Sequence, residues 1–468
     1  VNSFRLKNIK GFIDTGKLEI KPITIMIGEN SSGKSSIVRF PLVLRQTFLD
    51  ASMAPLLLYG KSIDYGNFED VVFGHDKKQP IEFEISIDVR DLLMIVPPFY
   101  EEKIKNYLCG ELIINVTISY SGKALRVDKF CIYSSDSERP VLSVENIEEN
   151  EQIKITFKDR RYKYEISKKE FGFEKFIPDF RSIRVIGSKI KSKNKKESLD
   201  FLYALFTALN FYFNSFANKI FYIGPFRKTP ERFYRYIENA VNYVGRDGEF
   251  ASVILGQNLR TNQTLIEDVS NWLEKNLDFT LEVEDLKGDL FRIMIKDKKT
   301  NAKNNIIDVG HGLSQLLPIV VQTFMKTPNE NYSLFYNRMP LYNLHIIEQP
   351  ELHLHPAGQA SLADLFVGAV NRKAKSKDYF LIETHSEHML LRLRRYVVEE
   401  RISPKNIAIY YSEKNSKHGS LDIRRLEISE EGKIKGWPEG FFSQDYIETI
   451  AMQDALRKKT LGGESPLW

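Results

Sequence analysis

A compact apolar run leading into a glycine loop, ITIMIGENSSGKSS at residues 23–36, constrains this chain more than any other feature. The apolar run reads as a buried strand. The loop fits the pattern G-x-x-x-x-G-K-[ST], with Gly28, Gly33, Lys34 and Ser35 on its fixed positions. Glycines let a backbone wrap closely around phosphates, and successive N–H groups point inward where the next helix begins. The lysine of such a loop reaches the β- and γ-phosphates, and the hydroxyl after it is a ligand for Mg2+. The following residues, SSIVRFPLVLRQTF, have helical spacing, so strand, loop and helix stand in the order this chemistry requires. Gly28, Glu29, Asn30, Ser31, Ser32, Gly33, Lys34, Ser35 and Ser36 are therefore expected to form a cradle for ATP and Mg2+.

A strand that feeds a helix calls for parallel neighbours. LHIIE, DYFLIE and NIAIYYS are short, apolar and each followed by a helical pattern, which predicts a parallel sheet covered by helices. FRLKNI and KLEIK near the start read as further strands. IEFEISIDV, ELIINVTISY, KFCIYS and IKITFK alternate between apolar and polar residues, with turn signals at Gly110 and SYSG. They predict a meandering antiparallel sheet across residues 80–165. Residues 199–218 are helical in pattern, and LYALFTALNFYF within them reads as a buried, aromatic-rich helix. KIFYIGP returns to strand, and LEVEDL with LFRIMIK forms a predicted hairpin. The class is α/β: a mixed, largely parallel core sheet flanked by helices, an antiparallel β-rich lobe and a helical insertion. KIKSKNKKES at 189–198 is expected to be a solvated loop, with contact to a phosphate backbone as the alternative.

With 468 residues, 42% of them hydrophobic, the chain can bury a sizeable core and has room for two or three domains. Its 67 basic residues face 62 acidic ones, and this balance gives no argument of its own for nucleic acid. Cys109 and Cys131 lack metal-type spacing, and they suit a reducing cytosol without a disulfide. The first residues, VNSFRLKNIKGF, hold no apolar signal core, and no apolar run reaches membrane-spanning length. A cytoplasmic protein with no membrane contact is the expectation.

Four stretches in order, GENSSGKSS, GHGLSQ, IIEQPELHLHP and LIETHSEH, resemble the ABC-type ATPases related to SMC proteins and the OLD nucleases. Among these, the chain is similar to the single-polypeptide ATPases of bacterial anti-phage systems such as PARIS and Septu. The resemblance covers residues 1–60 and 300–400, with fragments such as YIGPFRKTPER between. It implies that GHGLSQ is a signature motif contributing Gly312, Ser314 and Gln315. Ser314 would cap the apolar helix QLLPIVVQTF and meet the γ-phosphate of ATP held by a second subunit. One cradle and one signature per chain then imply a homo-oligomer, a dimer or a higher even-numbered assembly, arranged head to tail. His385 takes the place of the switch histidine that contacts the γ-phosphate. His353 and His355 fall in the family's subunit-contact loop, and with no third ligand beside them a zinc site is a poor reading.

The third motif departs from the family. Glu348 takes the position of the acid that supports Mg2+ through water, where most relatives use aspartate, and Gln349 takes that of the catalytic base. An amide can position water but cannot accept its proton at neutral pH. Three explanations stand: Glu351 or Glu383 substitutes as base, turnover is slow and the site acts as an ATP-held clamp, or Gln349 was engineered to trap ATP.

The OLD nucleases continue past the switch histidine into a carboxylate-rich nuclease domain. Here the residues after it hold no Asp-x-Asp pair, and GWPEGFFSQDYIETIAMQDALRKK reads as a loop and an amphipathic helix. SMC-type arms are not expected either, because no heptad tract of coiled-coil length occurs before residue 400. The expected divisions are 1–165, an N-terminal ATPase lobe; 166–305, a helical and mixed insertion; 306–412, a C-terminal ATPase lobe; and 413–468, an extension. GPFRKTPERFYRY, with Arg227, Lys228, Arg232 and Arg235, could hold a nucleic-acid backbone, dock an acidic partner or form ordinary ion pairs. The reading is an ATPase subunit that senses DNA or a phage-encoded trigger and controls a separate effector protein, a nuclease. The alternative is an SMC- or OLD-like DNA-repair or DNA-clamping ATPase. A transporter ATPase is weaker, because those domains lack the long insertion at 80–300.

Overall fold

The apolar strands of the two halves come together in one sheet, seen here in a computed structural model. It describes the chain except residues 95, 97, 106, 123, 136, 148–150, 158–161, 190–192, 326–341, 373–376, 416–418, 439–443 and 462–468. The strands run in the order Ile220–Ile223, Tyr342–Glu348, Lys377–Glu383, Ile23–Gly28 and Ile407–Asn415, all parallel. Ser420–Ile428 and Ile434–Lys435 extend it antiparallel. All six residues of Ile23–Gly28 are buried, as a strand covered on both faces requires. Alternate side chains enter different cores. Met26, Leu344, Ile346 and Leu381 join one apolar cluster, whereas Ile23, Ile25, Ile27, Ile347 and Ile382 join the other.

The first cluster lies under an antiparallel sheet that runs from Tyr162–Ser167 through Gln152–Phe157, Leu142–Ile147, Ala124–Ser134, Glu111–Ser121 and Ile81–Asp88 to Ser3–Ile9. Glu111–Ser121 alternates as its sequence predicts, with Leu112, Ile114, Val116 and Ile118 fully buried. Leu142–Ile147 and Tyr162–Ser167 are strands that the alternation reading did not single out. The expected aromatic helix packs into this same cluster, where Phe213 stacks on Phe48 at 5.2 Å and meets Phe176 edge-on.

That helix is longer than expected, Lys193–Asn218, and corrects the loop expectation for residues 193–198; Lys189 ends the helix Phe180–Lys189, and residues 190–192 lie outside the described residues. Lysine and glutamate favour helix, and KNKKES contains no glycine or proline to stop propagation outward from the packed turns. The second cluster is built by Ala251–Leu259, Thr264–Leu277, His311–Phe324, Pro356–Val370 and Glu387–Val398 with the predicted hairpin Phe279–Leu286 and Leu290–Asp297.

The terminal helix, Gln444–Leu461, exists but is not amphipathic: residues 448–457 are exposed all round. Ile450 and Met452 stand two apart, a spacing that puts side chains on different faces. Among the described residues no helix is long and apolar enough to cross a membrane.

Candidate active site

The loop after Ile23–Gly28 needs its glycines for different reasons. Gly28 has φ +147°, and a Cβ there would meet the Ser412 carbonyl oxygen at 2.1 Å. Gly33 has φ +80°, and its Cβ would run into Leu421 and the Phe12 ring. Backbone can pass through both places only without a side chain. The helix Lys34–Val38 starts directly after Gly33, which aims its first N–H groups into the loop. Glu29, Asn30 and Ser31 are exposed on the rim. Ser32 is buried, its hydroxyl donates to the Glu29 carbonyl at 2.9 Å, and its own carbonyl accepts from the Ser412 hydroxyl. The Ser36 carbonyl accepts from the Tyr65 hydroxyl. Lys34 is buried, and its ammonium donates to the carbonyls of Gly28 at 3.1 Å and Glu29 at 2.5 Å.

Two acids end neighbouring strands side by side, since Glu348 pairs with Glu383 in register. Glu383 also pairs with Met26 of the cradle strand, so its strand separates Glu348 from the loop. The Ser35 hydroxyl donates to one Glu383 carboxylate oxygen at 3.0 Å. The other Glu383 oxygen is buried and without a hydrogen-bond partner among the described residues. Burial, and then the charge of Glu348, raise the Glu383 carboxyl above its ordinary range.

Glu348 is 2% exposed and much better served. Arg39 grips it with two nitrogens at 2.6 and 2.7 Å, and the Tyr222 hydroxyl donates at 2.8 Å. Burial, together with Glu348, pushes the Tyr222 phenol well above its usual value, which keeps it a proton donor. Arg39 sits where the helix after the loop breaks and restarts as Phe40–Leu49.

Gln349 is half-buried, with φ +45°, and its N–H donates to the Glu383 carbonyl at 2.7 Å. The buried Arg227 donates one nitrogen to the carbonyls of Glu348 and Gln349, while the Gln315 side chain donates to the Arg227 carbonyl at 3.2 Å. Burial lowers the Arg227 guanidinium to about 10, still a cation at neutral pH. Glu351 accepts the Thr384 hydroxyl at 2.7 Å and the His385 N–H at 2.6 Å, so both its oxygens tie the turn after Glu348 to the loop after Lys377–Glu383. His385 is half-buried, and burial followed by the charge of Lys34 lowers its pKa, leaving a neutral imidazole at pH 7.

The signature serine is not a cap, contrary to expectation. The helix begins at His311, with Gly310 as its cap, and Ser314 lies inside it, donating to the His311 carbonyl at 2.8 Å. Three helical residues therefore precede it, and a serine so placed bonds backward along its own helix. Gly312 is the close-approach position: a Cβ there would lie 2.5 Å from the His353 carbonyl. His311, Gly312, His353 and His355 line a cleft of about 640 Å³ that no cradle residue borders. Among the described residues no group of three His, Cys, Asp or Glu is placed to hold a metal ion.

The basic cluster divides. Arg227 points inward, Lys228 pairs with Glu231, Arg232 pairs with Asp308 through two nitrogens, and Arg235 is exposed. Sequence reasoning missed Arg39 and Tyr222, and counted Arg227 only as a surface charge. Arg39 caps the end of the helix that Lys34 begins, and its closeness to Lys34 along the chain is the signal the sequence offers.

The AAA ATPase domain family (AAA_15) matches residues 1–390, and a protein family of unknown function, DUF3696, matches 402–449. No curated protein matches the chain. Similar solved structures include the Smc head domain with an extended coiled coil bound to the C-terminal domain of ScpA, from Pyrococcus furiosus. It is 11% identical, with a TM-score of 0.41, over 98% of this chain and 99% of that one. The SMC head domain from Thermotoga maritima is 12% identical, with a TM-score of 0.38, over 91% and 99% of the two chains. The match to residues 1–390 spans most of the chain, and the chain belongs to the AAA ATPase domain family.

Proposed function

We propose that the chain is the ATP-binding and ATP-hydrolysing subunit of an anti-phage defence complex. In this reading it assembles head to tail around ATP and Mg2+ and controls a separate effector protein, a nuclease. The observation that carries the nucleotide part is the cradle, in which Lys34 lies over the Gly28 and Glu29 carbonyls and Ser35 faces a buried acid. Phosphate oxygens would take over the loop N–H groups, and Lys34 would exchange two carbonyls for anions, a stronger pairing. The orphaned oxygen of Glu383 and the Ser35 hydroxyl beside it suit hydrated Mg2+, which keeps several waters and takes one or two protein ligands. Ser35 and Glu383 would hold the ion, which would supply neutralisation of phosphate charge.

Neutral His385 can donate one hydrogen bond toward that phosphoryl. Glu351 is a poor base, since both its oxygens already accept hydrogen bonds. Gln349 orients water without taking its proton, so either Glu383 takes that proton or turnover is lower by roughly 10²–10⁴-fold than with a general base. The cleft that Gly312 lines has no cradle residue of its own chain on its walls, which supports a second copy as its counterpart. Ser314 and Gln315 are buried and bonded within their own chain, so of the three only Gly312 lines that cleft. The defence role and the effector rest on the four-motif resemblance. The DNA-clamping alternative draws little from the GPFRKTPERFYRY cluster, where Lys228 and Arg232 are ion-paired, Arg227 is buried and Arg235 is exposed.

The test is ATP affinity of the wild type against Lys34→Ala. The variant is expected to lose about a hundredfold, the worth of two charge-assisted hydrogen bonds; unchanged affinity sinks the nucleotide reading. Native mass spectrometry with ATP then separates the biological roles. An even-numbered assembly carrying a second protein supports the effector reading, whereas a bare dimer whose hydrolysis DNA stimulates, with steep salt dependence, supports the clamp.

A further inference from the structure

We infer that Glu383, and not Glu348, is the carboxylate that supports Mg2+ at Ser35, and that Arg39 holds Glu348 out of that role. The inference rests on the ATP–Mg2+ reading of the cradle and reverses the assignment that motif order implies.

Strand order comes first. The Lys377–Glu383 strand is the direct neighbour of Ile23–Gly28, and Tyr342–Glu348 lies one strand further out. With strands about 4.8 Å apart, the Glu383 backbone is one spacing from the cradle strand and that of Glu348 two. Contact agrees with topology, since the Ser35 hydroxyl, the group that ligates the metal in such loops, is bonded to Glu383 at 3.0 Å.

Valence points the same way. A carboxylate offers about four acceptor sites. Glu348 fills most of its own with Arg39 and Tyr222, and a cation on the remainder would sit beside a guanidinium. The Arg39 main chain is fixed by its N–H bond to the Ser35 carbonyl at 3.0 Å at the break between two helices, and two of its guanidinium nitrogens are committed to Glu348. Glu383 has the opposite condition, with one buried oxygen unused. Leaving such an atom unpaired is costly, and a metal-bound water supplies the missing donor. The length of glutamate is no obstacle where the contact to Mg2+ passes through water.

The experiment is an equilibrium titration of the full chain with a fluorescent ATP analogue, mant-ATP, in EDTA and in Mg2+. Wild type, Glu383→Gln, Glu348→Gln and the double variant Arg39→Met/Glu348→Gln are compared. The double variant removes both members of the ion pair and so avoids a lone buried cation. The wild type is expected to bind more tightly with Mg2+. Glu383→Gln should bind as the wild type in EDTA and lose about tenfold of the Mg2+-dependent gain, the worth of one charge-assisted hydrogen bond. Glu348→Gln and the double variant should keep that gain. A gain that survives in Glu383→Gln, or disappears in both Glu348 variants, overturns the inference. So does loss of binding in EDTA by Glu383→Gln, which makes Glu383 a structural residue. A wild type without affinity in either buffer instead removes the nucleotide reading itself.

Discussion

Glu348 and Glu383 are the same residue type, both buried, at the ends of adjacent parallel strands and paired in register. Yet one is gripped by an arginine and a tyrosine, and the other has a single serine and an unpartnered oxygen. The difference teaches that a motif position does not assign a role. A buried carboxylate already satisfied by protein donors is a structural anchor, and one left half-satisfied is available to a ligand.

The largest effect should come from breaking the anchor. Arg39→Met leaves Glu348 buried without its cation and should cost about 3–5 kcal/mol of stability. Chemical denaturation would measure it, and the double variant Arg39→Met/Glu348→Gln should recover most of the loss. If the single and double variants melt alike, the ion pair is not the anchor.

The next concerns how the anchor is linked to the signature helix. Arg227 bridges the Glu348 and Gln349 carbonyls, and Gln315 holds Arg227 from the other side. Arg227→Met should cost about 1.5–3 kcal/mol, the worth of a hydrogen bond to a charged group. Arg227→Lys should recover part of that by keeping the charge. Equal stability of all three proteins would remove Arg227 from the comparison.

The smallest effect uses Glu351 as a third case, a carboxylate with both oxygens occupied and no cation bonded to it. Burial is the largest influence on it and raises its pKa above the ordinary value of 4.5, despite the Thr384 and His385 hydrogen bonds. The folded form therefore holds its proton more tightly than the unfolded form. Its contribution to stability is fully present below pH 4.5 and is lost as pH rises through the folded value. Thermal melts against pH should show that decline in the wild type and a flatter profile in Glu351→Gln. Identical profiles would mean that burial is not what sets this carboxyl apart.

Much of the cradle was legible because its information is local. Glycines at 28 and 33, Lys34 and Ser35 act within one turn of chain, and an apolar strand before them fixes the direction of the helix. The antiparallel sheet was legible for a similar reason, since period-two alternation is a local pattern. The signature motif was read less well. Its residues were singled out, but the helix start was placed at Ser314 when it lies at His311, because GHG does not read as helix. The loop expectation failed in the opposite direction over residues 193–198, where charge suggested solvent but propensity carried the helix on through Lys193–Ser198.

By itself, then, the sequence determined a phosphate-binding strand–loop–helix, a parallel α/β core and the order of four motifs along the chain. Only the tertiary structure decided which acid stands beside Ser35. Motif order runs along the chain, from Glu348 to Glu383, whereas chemistry runs across the sheet, and there Lys377–Glu383 lies between Tyr342–Glu348 and Ile23–Gly28. The partners that quench Glu348 come from a helix break at Arg39 and from a strand at Tyr222, far apart in the chain. No spacing rule along the sequence encodes that meeting, because it is set by the packing of the loop helix and two strands around one buried carboxylate.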